Sequence, residues 1–430
     1  MRIRLALCAG AAALTVCAGT VTASAVPGSP DPRPAAAPGA PDPRPAAGHA
    51  AAAARPDAEA LRAALDGVHR AGVPGAFAEV RDGARTWRGA AGVADLATGR
   101  PVRPGLLHRV GSVTKTFTAA AVMQQAEQGR IRLDDPIGDH LPDLVPGPRG
   151  RTVTVRMLLN HTSGIADHLR PAFPSLPGSA ASIDENRFRR FRPAELIGMG
   201  LAAAPAGEPG GPVGVYSNTN YLLLGELLER VTGTPAEEYI TRNVIARAGL
   251  RHTAFPAGPR IRGPHSRMYE SFHGLLDPPR DYSVYDTSYV GPSAGLVSTM
   301  EDLDRFYAGL LAGRIVSPAS LAEMQRTGPV IALDGSTVRY GLGLHRLDVP
   351  GCGTFWGHDG SAWGAGTVSF TRADGRRQAS YAVNLQRWNA VDSTGVPVPH
   401  PIDGALAALQ REALCGDGEV VAPRAAAGRR

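Results

Sequence analysis

The sequence predicts an α/β protein of the α+β kind: one antiparallel sheet built from both chain ends and flanked by helices, with a helical region inserted between. Two observations carry this. Strand-like stretches fall at 76–94 and return at 340–384, while the middle, from about 130 to 290, mixes helix-length apolar periodicity with Pro- and Gly-rich loops. A sheet assembled from the two ends of one folded segment makes a single discontinuous unit, not two consecutive domains.

The elements follow in order. Met1-Arg2-Ile3-Arg4, the apolar run Leu5 to Val21 and the small residues Ala23-Ser24-Ala25 read as a secretory signal peptide over 1–25. The run is diluted by Thr, Gly and Ala and is short for a bilayer span, so the cleaved protein is expected outside the cell with no integral membrane segment. Residues 26–56 are a Pro/Ala-rich tether in which Pro-Asp-Pro-Arg-Pro-Ala-Ala occurs twice, at 30–36 and 41–47. Such a stretch lacks the large apolar residues of a core and favours extended polyproline II.

The folded unit is expected over 57–416, followed by a flexible basic tail over 417–430. It opens with a helix over 57–70 carrying Leu61, Leu65 and Val68 on one face. Strands at 76–81 and 86–94 flank the Asp82-Gly83 turn. Helices are predicted at 112–128, closed by Gly129, at 221–231, ended by Thr232-Gly233, at 300–311 and at 402–414. Strands are predicted at 340–347, 364–371 and 378–384. Without the signal peptide two cysteines remain, Cys352 and Cys415. An oxidising compartment favours a disulfide between them, with two unpaired thiols as the alternative.

The formal net charge of +6 is spread in ones and twos, without the basic stripes or stacked aromatics of nucleic-acid binders. No nucleic-acid partner is expected. An anionic cell wall remains compatible with the charge, and a monomer is expected.

Of the 45 Lys and Arg residues, one is lysine, Lys115. In a chain so biased toward arginine, lysine is demanded where the group must lose its proton, because an ammonium can be tuned by burial and a guanidinium cannot. To act near neutrality its pKa must fall from about 10.4, a bias of about 4 kcal/mol. Three residues earlier, at a predicted helix start, stands Ser112. Spacing of i and i+3 puts both side chains on one helix face, and the free N–H groups of the first turn favour an oxyanion there. Serine is a poor nucleophile until a neighbouring base takes its proton.

Two further motifs join this pair. Tyr216-Ser217-Asn218 places a phenol and an amide on the same side of an extended segment. His358-Asp359-Gly360-Ser361 precedes the strand predicted at 364–371, and its glycine would let a substrate backbone approach. No His-x-His or His-Glu-x-x-His spacing suggests a metal, and no cofactor is expected. Gly291-Pro292-Ser293-Ala294-Gly295 matches the serine elbow of the α/β-hydrolases, but the polar stretch before it and the late start of the next helix favour an ordinary turn.

In this order, separated by about 100 and about 140 residues, the three motifs are strong, and Ser-x-x-Lys marks β-lactamases and penicillin-binding proteins. The chain resembles the serine β-lactamase/penicillin-binding superfamily, with a β-lactamase/transpeptidase-like fold, and most closely a secreted D-alanyl-D-alanine carboxypeptidase. The resemblance covers about residues 60–416 and includes His108–Lys115, Leu159–Gly164, Tyr216–Asn220 and Tyr340–Leu344. It implies that Ser112 attacks the carbonyl of the penultimate D-alanine, with Lys115 as base and Tyr216 as proton relay. The backbone N–H groups of Ser112 and Ser361 would form an oxyanion hole. Asn218, His358, Gly360 and Ser361 would bind substrate, with His358 where most β-lactamases carry lysine. A Cys352–Cys415 disulfide is implied as well, and the partner would be a peptidoglycan-type peptide or a β-lactam. His161 and Thr162 are expected to stabilise a turn.

Two positions depart from that pattern. Asp359 puts an acid where a substrate carboxylate is expected, and His345 stands where the family carries a carboxylate-binding arginine. Arg346 could substitute only through a shift of one residue, which would turn it to the other face. These changes leave the reaction class intact and favour, as the rival reading, an esterase or D-amino-acid amidase or aminopeptidase of the same superfamily. A non-catalytic module binding wall peptides is the reading outside enzymes.

Overall fold

The computed structural model describes residues 57–176, 178–393 and 396–416. The predicted signal peptide, tether and basic tail lie outside them. Helix α1, Ala58–Arg70, starts where the Asp57 carboxylate accepts from the N–H groups of Glu59 and Ala60 at 2.9 and 3.0 Å, satisfying two of the donors a helix start leaves open. It buries Leu61, Leu65 and Val68, each contributing about 1.5–3 kcal/mol.

Among the described residues, ten strands form the main sheet: β1 Gly75–Asp82, β2 Arg85–Asp95, β3 Arg100–Pro101, β4 Gly214–Val215, β5 Gly328–Ile331, β6 Thr337–Tyr340, β7 His345–Val349, β8 Gly353–Ala362, β9 Ala365–Arg372 and β10 Arg377–Val383. Their spatial order is β3-β2-β1-β10-β9-β8-β7-β6-β5-β4. The neighbours run antiparallel except at the β4–β5 edge. The first and last long strands therefore meet inside the sheet, with Ala76 opposite Val383 and Val80 opposite Ala379.

Helices cover both faces. On one, α1 and the last helix, Pro401–Cys415, pack Leu65, Ile402, Leu406 and Leu409 against Val80, Phe355 and Tyr381. On the other, Thr114–Glu127 and Met300–Leu311 pack together, with the Phe117 and Phe306 rings stacked 3.6 Å apart. We number the long helices α1, α2 (Thr114–Glu127), α3 (Asn218–Thr232), α4 (Met300–Leu311) and α5 (Pro401–Cys415). Helix α2 is buried nearly all round, as a central helix must be.

Two sequence expectations are corrected. The single strand predicted over 340–347 is a hairpin: β6 ends at Tyr340, and the 341–344 turn is closed by Gly341 N–H donating to Leu344 O at 2.8 Å. Gly343 has φ of 73°, and a Cβ there would stand 2.4 Å from the Ala119 Cβ, so glycine lets the hairpin lie on α2. His358–Ser361 likewise lie inside a strand, β8, whose glycines and buried polar groups hid its period.

Cys352 and Cys415 form a disulfide, S–S 2.02 Å, joining the β7–β8 turn to the end of α5 across a sequence separation of 63. Loop-closure entropy for that span corresponds to about 4 kcal/mol. The Cys352→Ser/Cys415→Ser double variant should therefore unfold at clearly lower urea concentration, a change to be read by tryptophan fluorescence. An unchanged midpoint would show that the bridge adds no stability.

Candidate active site

The site is built where a tight turn enters α2. Gly111–Val113 form a 3₁₀ turn, Gly111 has φ of 52°, and the Thr114 hydroxyl donates to Gly111 O at 2.7 Å. Strand β8 lies directly against this turn. A Cβ on Gly360 would stand 2.0 Å from Val110 O and 2.9 Å from Ser112 N, and one on Gly111 would stand 2.7 Å from Ser361 N. Two glycines thus let the Ser112 and Ser361 amides share one junction. No β7 residue pairs with β8 beyond Gly357, so the 358–361 edge of β8 faces the cleft.

Lys115, fully buried, reaches back from the first turn of α2. Its Nζ lies 3.1 Å from Ser112 Oγ, 2.6 Å from Asn218 Oδ1 and 3.0 Å from Ser293 O. Burial lowers its pKa to about 7, against the Asp167 and Asp359 carboxylates, which raise it. A neutral amine has two N–H groups and one lone pair. A carbonyl and an amide oxygen can only accept, so they take the two N–H groups and aim the lone pair at the Ser112 hydroxyl. The Tyr216 ring adds a wall 4.7 Å from Nζ.

Tyr216 and Asn218 reach this amine together because Ser217 between them is extended and Asn218 begins α3. The Asn218 amide is oriented by Asp167, whose carboxylate accepts from its backbone N–H at 2.6 Å and its side-chain Nδ2 at 2.8 Å. The Tyr216 hydroxyl is buried with no hydrogen-bond partner of ordinary geometry. Burial holds its pKa well above the usual value, although the nearby Ser112 hydroxyl pulls it down. It is a neutral phenol. Behind it His161 packs its ring 4.2 Å away and accepts from Ser217 N–H at 3.2 Å. Thr162 does stabilise the turn, its hydroxyl donating to Asn160 Oδ1 at 2.7 Å.

The third wall carries no lysine and no charged imidazole. His358 is buried, with Nε2 3.1 Å from the Tyr340 hydroxyl and Nδ1 2.5 Å from its neighbour's carbonyl, Asp359 O. Burial, His345 and Lys115 together hold its pKa well below the usual value. Its ring lies 4.1 Å from that of His345, whose pKa burial lowers to about 3. His345 Nδ1 meets Asp359 Oδ1 at 3.2 Å, and burial raises the Asp359 pKa to about 6. Arg346 stands in register with Arg339, on the face opposite the Tyr340–His345 pair, and its Nε lies 3.1 Å from Asp348 Oδ1. Ser361 donates through its hydroxyl to Gln386 Oε1 at 3.0 Å.

Among the described residues, one group brings metal-ligating atoms within 4.8 Å of one another: His345, His358 and Asp359. His345 Nδ1 meets Asp359 and His358 Nε2 meets Tyr340, while His345 Nε2 is buried without a hydrogen-bond partner. The structure thus brings together Ser112, Lys115, Tyr216, Asn218, His358, Gly360 and Ser361. Sequence reasoning missed Asp167, which orients Asn218, and the carbonyl of Ser293, which lies on the Gly291–Ser293 3₁₀ turn read there simply as a turn. A lone acid and a backbone carbonyl leave no signal in a single sequence.

Fold and site together define the β-lactamase/transpeptidase-like architecture, with Ser112 and the buried Lys115 paired at its cleft. A family model described as Beta-lactamase matches residues 58–396, and the chain belongs to that family. Penicillin-binding protein 4* of Bacillus subtilis (strain 168) is 26% identical over 312 residues, which are 69% of this chain and 64% of that protein; the match spans less than two thirds of that relative's length. A D-stereospecific amidohydrolase from Streptomyces sp. is similar in structure, with a TM-score of 0.71 and 34% identity over 84% of this chain and 100% of that one. The D-amino acid amidase of Ochrobactrum anthropi SV3 shares the fold, with a TM-score of 0.69 and 23% identity over 82% of this chain and 97% of that one. Among the described residues no helix is long and apolar enough to cross a membrane.

Proposed function

We propose that this chain is a secreted serine amidohydrolase or esterase that cleaves D-aminoacyl amides or esters through an acyl-enzyme. Ser112 Oγ attacks the carbonyl carbon as its proton passes to the neutral Lys115 amine. The carbonyl oxygen takes the new negative charge at the Ser112 and Ser361 N–H groups. When the C–N or C–O bond breaks, Tyr216 gives its proton to the leaving group and is reprotonated from Lys115. Water then attacks the ester, losing its proton to Lys115, and Ser112 leaves with a proton restored.

The observation that carries this reading is the third wall: neutral His345 and His358 beside Asp359, where a free substrate carboxylate would need a cation. The 34% identical amidohydrolase, matched over its full length, supports it. One observation favours the carboxypeptidase instead: Arg339 and Arg346 are among the residues that line the same cavity.

Rates on diacyl-lysyl-D-Ala-D-Ala, its C-terminal amide and a nitrophenyl ester separate the two. We expect amide and ester to exceed the free acid by about 10-fold or more, the scale of one charge-assisted contact. Preference for the free acid would restore the carboxypeptidase. Ser112→Ala should abolish both turnover and the mass increase on treatment with penicillin; retention of either would remove Ser112 from the mechanism.

A further inference from the structure

We propose that the cleft wall around Asp359 is a leaving-group subsite that selects amines carrying a second, positively charged amino group. This rests on the acylation reading above and specifies what departs from it.

A cavity of about 330 Å³ runs from Ser112 along the β6–β8 edge as far as Arg339, Leu347 and Gln410. A departing ammonia, with a volume near that of water at about 30 Å³, would leave most of it empty. Next to the nucleophile it is lined by Tyr216, His345, His358, Asp359 and Ser361, and further out by Leu333 and Val338. The space therefore suits an organic amine with a short apolar body. Tyr216 fixes the direction. Its hydroxyl is the acid facing Ser112 in this cavity, so the amine that takes its proton departs along this wall.

Charge then decides which amine. The groups facing Asp359 are His345 from β7, His358 beside it on β8, Lys115 from α2 and Asp334 from the β5–β6 connection. Both imidazoles are neutral, Lys115 is near neutrality and Asp334 is itself an acid. Asp359 is one-fifth exposed, and a carboxylate accepts several hydrogen bonds. The His345 contact therefore leaves room for a further donor. An ammonium placed there gains a charge-assisted hydrogen bond, whereas a carboxylate meets a like charge. Arg339, which is exposed, and Arg346, held by Asp348, also line this cavity.

The test is a ladder of three D-alanyl substrates whose leaving amines are glycine, glycinamide and ethylenediamine, read as kcat/KM at about pH 8, where an alkylammonium remains charged. The wild type should prefer ethylenediamine over glycinamide, and glycinamide over glycine, each by about 10-fold or more. Asp359→Asn should bring both ratios close to one, and Asp359→Glu should restore part of them. Flat ratios in the wild type, unchanged ratios in Asp359→Asn, or preference for glycine would overturn the subsite. Nitrophenyl-ester turnover and the Ser112 adduct are followed in the same preparation. An adduct with a flat ladder removes this inference alone; no adduct removes the acylation reading beneath it.

Discussion

Lys115→Arg should lower kcat/KM on a nitrophenyl ester by about 10²- to 10⁴-fold, the span of one general base, because it puts a permanently positive side chain where the neutral amine acts. A guanidinium stays protonated at any working pH, so it has no lone pair to offer Ser112. The wild-type profile should rise with pH through about 7, because below that value Lys115 is an ammonium and above it an amine. Asp359, ionising near about 6, falls within the same range; the limb that disappears in Lys115→Arg belongs to the lysine. Activity within about 10-fold of the wild type, or an unchanged ascending limb, would hand the base's role to another group.

The second large effect is expected at Gly360. An alanine Cβ there would stand 2.0 Å from the Val110 carbonyl oxygen, and both partners are backbone, so strand β8 must withdraw from the turn. Withdrawal carries the Ser361 N–H away from the Ser112 N–H. Losing one oxyanion donor costs about 100- to 1000-fold in kcat, and the overpacking a further 1–3 kcal/mol or so of stability. Gly404→Ala is the control: apart from its chain neighbours and the backbone of its own helix, no heavy atom lies within 4 Å of the new methyl group. Gly404 lies in α5, so that variant should gain about 1 kcal/mol of stability at unchanged rates. Stopped-flow acylation by penicillin and thermal unfolding read both variants. Full acylation speed in Gly360→Ala would mean that the two amides do not hold the developing charge.

Much of this was legible in the sequence because the signals were local. The amphipathic spacing of Leu61, Leu65 and Val68 marked α1, and Met300 and Leu311 bound α4 where the pattern placed them. The sole lysine and its partner serine marked the nucleophilic turn. What stayed hidden was made by contacts between distant segments. Strand β8 reads as a loop because glycine and polar residues fill positions buried on both faces. Asp167 is an ordinary acid until α3 presents Asn218 to it. The neutrality of His345 and His358 comes first from their burial in the folded cleft, with nearby Lys115 adding to it. Residue identity could show that a lysine had been replaced by histidine; packing decides that the replacement carries no charge.

The meeting of the outermost long strands has a consequence for biogenesis. Gly75 N–H donates to the Asn384 side chain, 309 residues away, at 2.6 Å, and the strand bearing Ser361 lies late in the chain, between β7 and β9. Contacts so remote in sequence close slowly. A nascent chain thus carries its serine and lysine early but gains its second amide donor only when the C-terminal strands arrive, so an incomplete chain is expected to react slowly with the compounds that would acylate the finished protein.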